Sequence, residues 1–352
     1  GEGEGAAGAA GAKGVILTEA VDAPDPLSPE TIGEFWLSGA RDEVFAQQLA
    51  LLPRTDERLA ESFGGVDGAV AVSLTAPSDP NRTASFLRTD TQQANWLNTG
   101  GADYLALPAA RYFYAINPDL ARAAQPSVSS LTSDSDGVLR RTPLLWSLAG
   151  APAPALSLEA ARLAADDATV TAAVSASGAS AQGRTVDSLS LGGKTLPVSD
   201  TTSLRLYLPK NISVPTTSAS RLLSGFNGAP ATIAGSNAQL KDAVVLIGLD
   251  TELGTPVRTA RGTMAPAAAH ALAAAQILSG EAPKRPGWAG YIEALAVMLF
   301  GAAAIMIAQR LAFWKAAGFA ALASVILLLG AYMAFAFGDL LLNPIPPAVA
   351  LF

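Results

Sequence analysis

Short apolar runs, separated by polar stretches and Gly or Pro breaks, fill most of the chain; two long unbroken ones follow near its end. Val15 to Val21 has strand character, and Ala69 to Leu74 reads as a second strand after a Gly-Gly break. Between them, Ser28-Pro29-Glu30 marks a helix start. Ser caps, Pro takes the first helical position with φ already set, and Glu lies at the positive end of the dipole. A further helix is predicted from Asp42 through Leu52, and Asp56-Glu57 open another. Leu156, Ala160 and Leu163 recur at i, i+4 and i+7, which predicts one buried face on a helix from Pro154 to Ala165. Leu189 to Leu196 alternates around Gly192-Gly193, the signal of a β-hairpin. Val244-Val245-Leu246-Ile247-Gly248 is continuously apolar, which predicts a strand in the middle of a sheet covered on both faces. A helix from Ala265 to Ser279 follows. Residues 14–283 therefore predict one mixed, three-layer α/β domain, with residues 1–13 as a flexible start.

The pattern then changes. From Gly287 to Ala308 the one charge is Glu293, and from Ala316 to Gly338 there is none. At 1.5 Å per residue each run spans roughly 33 Å, enough for a hydrocarbon core of about 30 Å. Trp288 and Tyr291 open the first run and Trp314 follows its end, where amphipathic rings anchor to headgroups. Between the runs, residues 309–315 predict a tight hairpin carrying Arg310 and Lys315. Another apolar segment begins at Pro344 and stops at Phe352, so a C-terminal transmembrane helix bundle cut within its third helix is expected. The opening has no Met or signal peptide and is likewise expected to be a cut end. Lys284 and Arg285 balance the hairpin's two cations. Long domains translocate largely regardless of charge, however, so the short hairpin is the better guide. It votes for the cytoplasm, and the large domain is then outside.

Composition narrows the chemistry. Half of the 352 residues are hydrophobic and 15% are charged, which excludes a disordered solvating chain. With no Cys there is no disulfide, no thiolate nucleophile and no Cys-ligated metal, and with one His there is no multi-His metal site. A net charge of −7 argues against a nucleic-acid partner. Gly3, Gly5 and Gly8 match a dinucleotide fingerprint by spacing, but that motif needs a strand before it, and here the strand follows. Gly193-Lys194-Thr195 imitates the tail of a phosphate-binding loop whose first Gly is here Ser188. No G-x-S-x-G or H-E-x-x-H occurs, so no catalytic residue, cofactor or metal is expected.

Three sites carry the remaining chemistry. His270 lies on the apolar face of the last soluble helix, either packed with one hydrogen bond or in contact with a ligand. Asp134 and Asp136, spaced i, i+2 just before Gly137, predict Asx-turn chemistry ahead of a strand. Arg140 and Arg141 are adjacent; in a strand they face opposite ways, so one is expected inward, in a buried ion pair or on an anionic ligand, and the other solvated.

The order of these segments resembles the CHASE2 family, extracytoplasmic sensory domains of bacterial transmembrane receptors. Asp134-Ser135-Asp136-Gly137-Val138-Leu139-Arg140-Arg141-Thr142-Pro143-Leu144 is similar to its D-x-D-G-V-x-R-R-x-P-L motif. Ala155 to Arg162 resembles its P-S-L-A-L-E-A-x-R helix, and Leu240 to Gly248 its L-K-G-K-x-V-x-I-G strand. Met264 to Ala271, with Gly280, resembles M-P-G-V-E-I-H-A followed by L-L-x-G, which places His270 on the family's His. Here the Gly and Glu of that motif are replaced, so no role of the Glu carries over. The transmembrane helix and first α/β unit that usually open family members are also missing from this sequence.

The resemblance implies a sensor of an unknown small molecule or environmental signal, multi-pass in the inner (plasma) membrane and homodimeric like other receptors. Its helices would lead to a cytoplasmic adenylate or guanylate cyclase or a protein kinase. The alternative from another class is a membrane-anchored module that holds envelope partners without switching. The reading frame beyond Phe352 discriminates them: a cyclase or kinase supports sensing, and an early stop supports the anchor.

Overall fold

The computed structural model describes residues 11–351 outside segments 20–27, 30–31, 33–42, 73–95, 102–104, 111–112, 114–117, 208–213, 221–239 and a few one- or two-residue stretches. The Gly3–Gly8 opening, Asp42, Leu74 and Gly287 lie outside the described residues. The chain divides into two compact units, residues 1–281 and 282–352.

In the first unit, β1 (Gly14–Leu17) is followed by α1 (Glu43–Ala50), α2 (Thr55–Ser62) and β2 (Asp67–Val72). The turn at Ser28-Pro29 is helical as its capping pattern predicts, with the Ile32 N–H donating to Ser28 O at 2.9 Å. Short strands β3 (Leu97–Asn98) and β4 (Ala109–Ala110) precede α3 (Pro118–Ala123) and β5 (Gln125–Val128). Then β6 (Arg141–Pro143), β7 (Leu145–Leu148) and β8 (Ala151–Pro154) lead into α4 (Leu156–Ala164). A long hairpin, β9 (Val170–Ser180) and β10 (Gly183–Leu191), continues through β11 (Lys194–Pro197) to β12 (Ser203–Arg205). Last come β13 (Val244–Ile247), the hairpin β14 (Val257–Thr259) and β15 (Gly262–Met264), and α5 (Pro266–Ser279).

Strands β13, β1, β2 and β5 form a parallel sheet in that order. Alternation along β1 sends its residues to two different layers. Val15 and Leu17, with Val245 and Ile247 of β13, pack against Phe63, Leu59 and Leu120 from the α2–α3 side. On the opposite face α4 lies against β1, β2 and β13, and α5 packs on α4. Ile16, in the middle of β1, is fully buried. The result is a three-layer α/β unit, as the sequence pattern predicts.

One expectation needs correction. Residues 244–247 form the edge of this sheet among the described residues, not its centre, and all four are half-buried. The reason is physical: an apolar run reports that both faces are covered, and here they are, by the α2–α3 core and by α4 and α5. It carries no information about whether both hydrogen-bonding edges are paired. The centre belongs to β1 and β2, each paired on both sides.

The second sheet, β11-β10-β9-β3, contains the predicted hairpin. Leu191 pairs with Lys194 across Gly192 (φ +57°) and Gly193 (φ +74°). Both turn residues need positive φ, the requirement of a primed turn, and glycine meets it without steric cost. Lys194 Nζ then donates to Leu278 O in the last turn of α5, placing a cation at the negative end of that helix. Gly280 in the left-handed region closes α5, its N–H donating to Gln276 O at 3.1 Å.

In the second unit, α6 (Ala289–Arg310) and α7 (Phe313–Gly338) are 22 and 26 residues long and apolar enough to cross a membrane. Only Leu311 and Ala312 separate them, and α8 (Ile345–Val349) follows. Both long helices expose large apolar side chains, among them Leu295, Leu299, Leu322 and Ile326. An apolar surface of this extent is unfavourable in water and matches a hydrocarbon surround. Trp288, Tyr291 and Trp314 are exposed at the starts of the two helices.

Candidate functional site

The loop after β5 builds the most charged cluster that the sequence reading singled out. Residues 134–138 fold back on themselves: the Gly137 N–H donates to Asp134 O at 2.9 Å and the Asp134 N–H to Val138 O at 3.0 Å. Gly137 at φ +76° permits the reversal. The Val138 N–H donates to Asp136 Oδ1 at 3.1 Å, the Asx-type bond expected of this turn. Both carboxylates thereby face the residues that follow.

Arg140 forks onto Asp136, with Nη1 to Oδ1 at 2.9 Å and Nη2 to Oδ2 at 2.7 Å. It also reaches Asp134 Oδ2 at 3.2 Å, while Arg141 Nη2 donates to Asp134 Oδ1 at 2.7 Å. Asp134 thus bridges the two guanidinium groups, one oxygen to each. The Arg140 fork holds the Asp136 carboxyl down at about 2, and Arg141 lowers that of Asp134. Arg140 is raised in turn by the same two aspartates.

This corrects the expectation of opposite faces. Neither arginine is buried; their side chains are 45% and 51% exposed. Opposite faces require both residues to lie within a strand, whereas β6 begins only at Arg141. Arg140 precedes the strand and is free to turn toward the same carboxylate as its neighbour.

The cluster is anchored from below. Leu139 is buried, and its N–H donates to Arg258 O of β14 at 2.7 Å. The loop leaving β5 is thereby joined to the loop leaving β13. Both loops start from the carboxyl ends of parallel strands, and the strand order reverses beside β1, between β2 and β13. In open parallel sheets ligands bind outside the carboxyl ends of the strands at such a reversal.

His270 is in a different environment. On α5 it is fully buried, and Nε2 donates to Ser129 O at 3.0 Å. The carbonyl acceptor assigns the proton to Nε2, leaving Nδ1 as a bare acceptor with no hydrogen-bond partner among the described residues. The packed reading with one hydrogen bond describes this geometry. Burial pushes the imidazole down to about 4, and the Ser129 bond offsets only part of that. An exposed histidine titrates near about 6.5, so between these values the unfolded chain binds a proton that the folded chain rejects. Stability is therefore full above about 6.5 and falls as pH drops toward 4, by up to about 3 kcal/mol in all. Because the chain has one His, the difference in unfolding midpoint between wild type and His270→Gln isolates this contribution. That difference should shift progressively across this range; a flat difference contradicts a buried neutral imidazole.

The sequence reading missed the buried ion pair that does exist. Glu159 on α4 is fully buried, and Arg162, 17% exposed, grips it through Nε to Oε2 at 2.9 Å and Nη2 to Oε1 at 2.5 Å. Their i, i+3 spacing on a helix was the available signal. Among the described residues no group of three His, Asp or Glu is placed to hold a metal ion.

Against known proteins, no curated protein and no solved structure matches the chain. The family model of the CHASE2 domain matches residues 8–307, which takes in the parallel sheet, the Asp134–Arg141 cluster, His270 and most of α6. The chain belongs to the CHASE2 domain family, whose domains are extracytoplasmic and sensory rather than catalytic.

Proposed function

We propose that this chain is the sensing and relaying portion of a bacterial receptor in the inner (plasma) membrane. The observation that carries the proposal is continuity: a CHASE2 domain runs without a break into two helices long enough to cross a membrane. Residues 14–283 lie outside the cytoplasm and meet a small-molecule or environmental signal. The helices pass the response through a multi-pass, homodimeric membrane region to a cyclase or kinase. Trp288, Tyr291 and Trp314 seat the helices at the headgroups.

The signal enters at the carboxyl-end rim of the parallel sheet, where Asp136, Arg140 and Arg141 are exposed and Asp134 is half-buried. Exposed pairs of this kind contribute little to stability. Replacing Arg140 or Arg141 with Ala should leave the unfolding midpoint near that of an ordinary surface change. In the full-length protein in membrane vesicles, each replacement should nevertheless alter cyclase or kinase output. Output identical to wild type for both variants would instead favour a membrane anchor that holds envelope partners without switching.

A further inference from the structure

The first membrane run contains a single carboxylate, Glu293, about 6 Å into α6. An ionisable group at that depth is costly unless it is satisfied, and its partners indicate its use. Both of its oxygens are taken. Arg285 Nη2 donates to Oε2 at 2.7 Å, and the backbone N–H of Asn343 donates to Oε1 at 2.7 Å. Arg285 precedes α6, and Asn343 follows α7. The Asn343 side chain accepts in turn from the Ile345 N–H at 3.2 Å, at the start of α8. Alongside, the Lys284 N–H donates to Asp339 O at 2.7 Å and the Leu341 N–H to Lys284 O at 2.8 Å. Asp339 closes α7 in the left-handed region at φ +52°.

We propose that Glu293 is a coupling pin. It ties the segment leaving the outer domain, Lys284-Arg285, to the turn that launches α8, so that displacement of that segment reaches the third helix as well as α6. The geometry points to this because one carboxylate serves two segments that are distant in sequence. Glu293 is only 15% exposed and Arg285 38%, so the bond is partly shielded from solvent. A carboxylate meant only to satisfy the first turn of its own helix would need neither partner. The direction of travel rests on the relay proposed above; the coupling itself does not.

Amide hydrogen exchange of the full chain in lipid nanodiscs, followed at residues 341–345, tests the pin. Glu293→Gln removes the charge from the acceptor of the Asn343 N–H and should raise exchange there about fivefold, the difference between a charged and a neutral acceptor. The decisive variant is Arg285→Ala, because Arg285 holds the carboxylate's other oxygen. Coupling predicts a several-fold rise at 341–345, restored to wild-type protection by Arg285→Lys. Unchanged exchange at 341–345 in Arg285→Ala overturns the proposal and reduces Glu293 to a local cap for Asn343. Should Glu293→Gln fail to insert, the Arg285 pair still decides. If the exchange effects hold while receptor output ignores them, the relay reading fails and the pin stands.

Discussion

Arg162→Ala should destabilise the fold by about 3–5 kcal/mol, among the largest losses from any single side chain. Glu159 is fully buried on α4, and its partner is one helical turn away. Deleting the guanidinium leaves a charge in the protein interior with neither that counter-ion nor its two hydrogen bonds. The cost comes from the stranded partner rather than from the worth of the pair. Replacing both residues, as Glu159→Leu with Arg162→Met, should therefore recover most of the loss. Unfolding midpoints of the two variants check this. A double variant as damaged as the single one would show that the pair stabilises in its own right.

Ile16→Ala should cost about 2–5 kcal/mol, and Leu246→Ala only about 1 kcal/mol. The two side chains are paired in register on adjacent parallel strands. Ile16 is fully buried on a strand hydrogen-bonded on both sides, so its truncation leaves a cavity that the sheet cannot close. Leu246 is half-buried on an edge strand, where less surface is lost and neighbours can relax. Comparable losses at the two positions would return Val244–Ile247 to the centre of the sheet.

What could be read from the sequence follows from what each pattern physically reports. Helical periodicity reports a buried face, and Leu156, Ala160 and Leu163 are buried as a group on α4. Paired glycines report a backbone requirement, and Gly192-Gly193 meets it. The segment order was specific enough to indicate the family. Edge pairing was not legible, because hydrogen bonds along a strand leave no trace in its side chains; hence the misplacement of β13. Nor was the fate of Arg140 and Arg141, since alternation applies only inside a strand and Arg140 lies immediately before β6. The Glu159–Arg162 pair was not legible from the helix's apolar positions, and the motif match of Ala155 to Arg162 does not report which side chains pair. The two bonds at Glu293 join Arg285 and Asn343, which no local spacing relates.

The proposed topology puts residues 14–283 and the turn between α6 and α7 on opposite sides of a membrane. The chain has no Cys, so single cysteines can be introduced at Ser135, exposed in the aspartate–arginine loop, and at Ala312, exposed between α6 and α7. A membrane-impermeant thiol reagent applied to intact spheroplasts should label Ser135→Cys at once and Ala312→Cys only after the membrane is opened. The reverse pattern, with Ser135→Cys protected until lysis, would place the sensory unit in the cytoplasm and contradict the account.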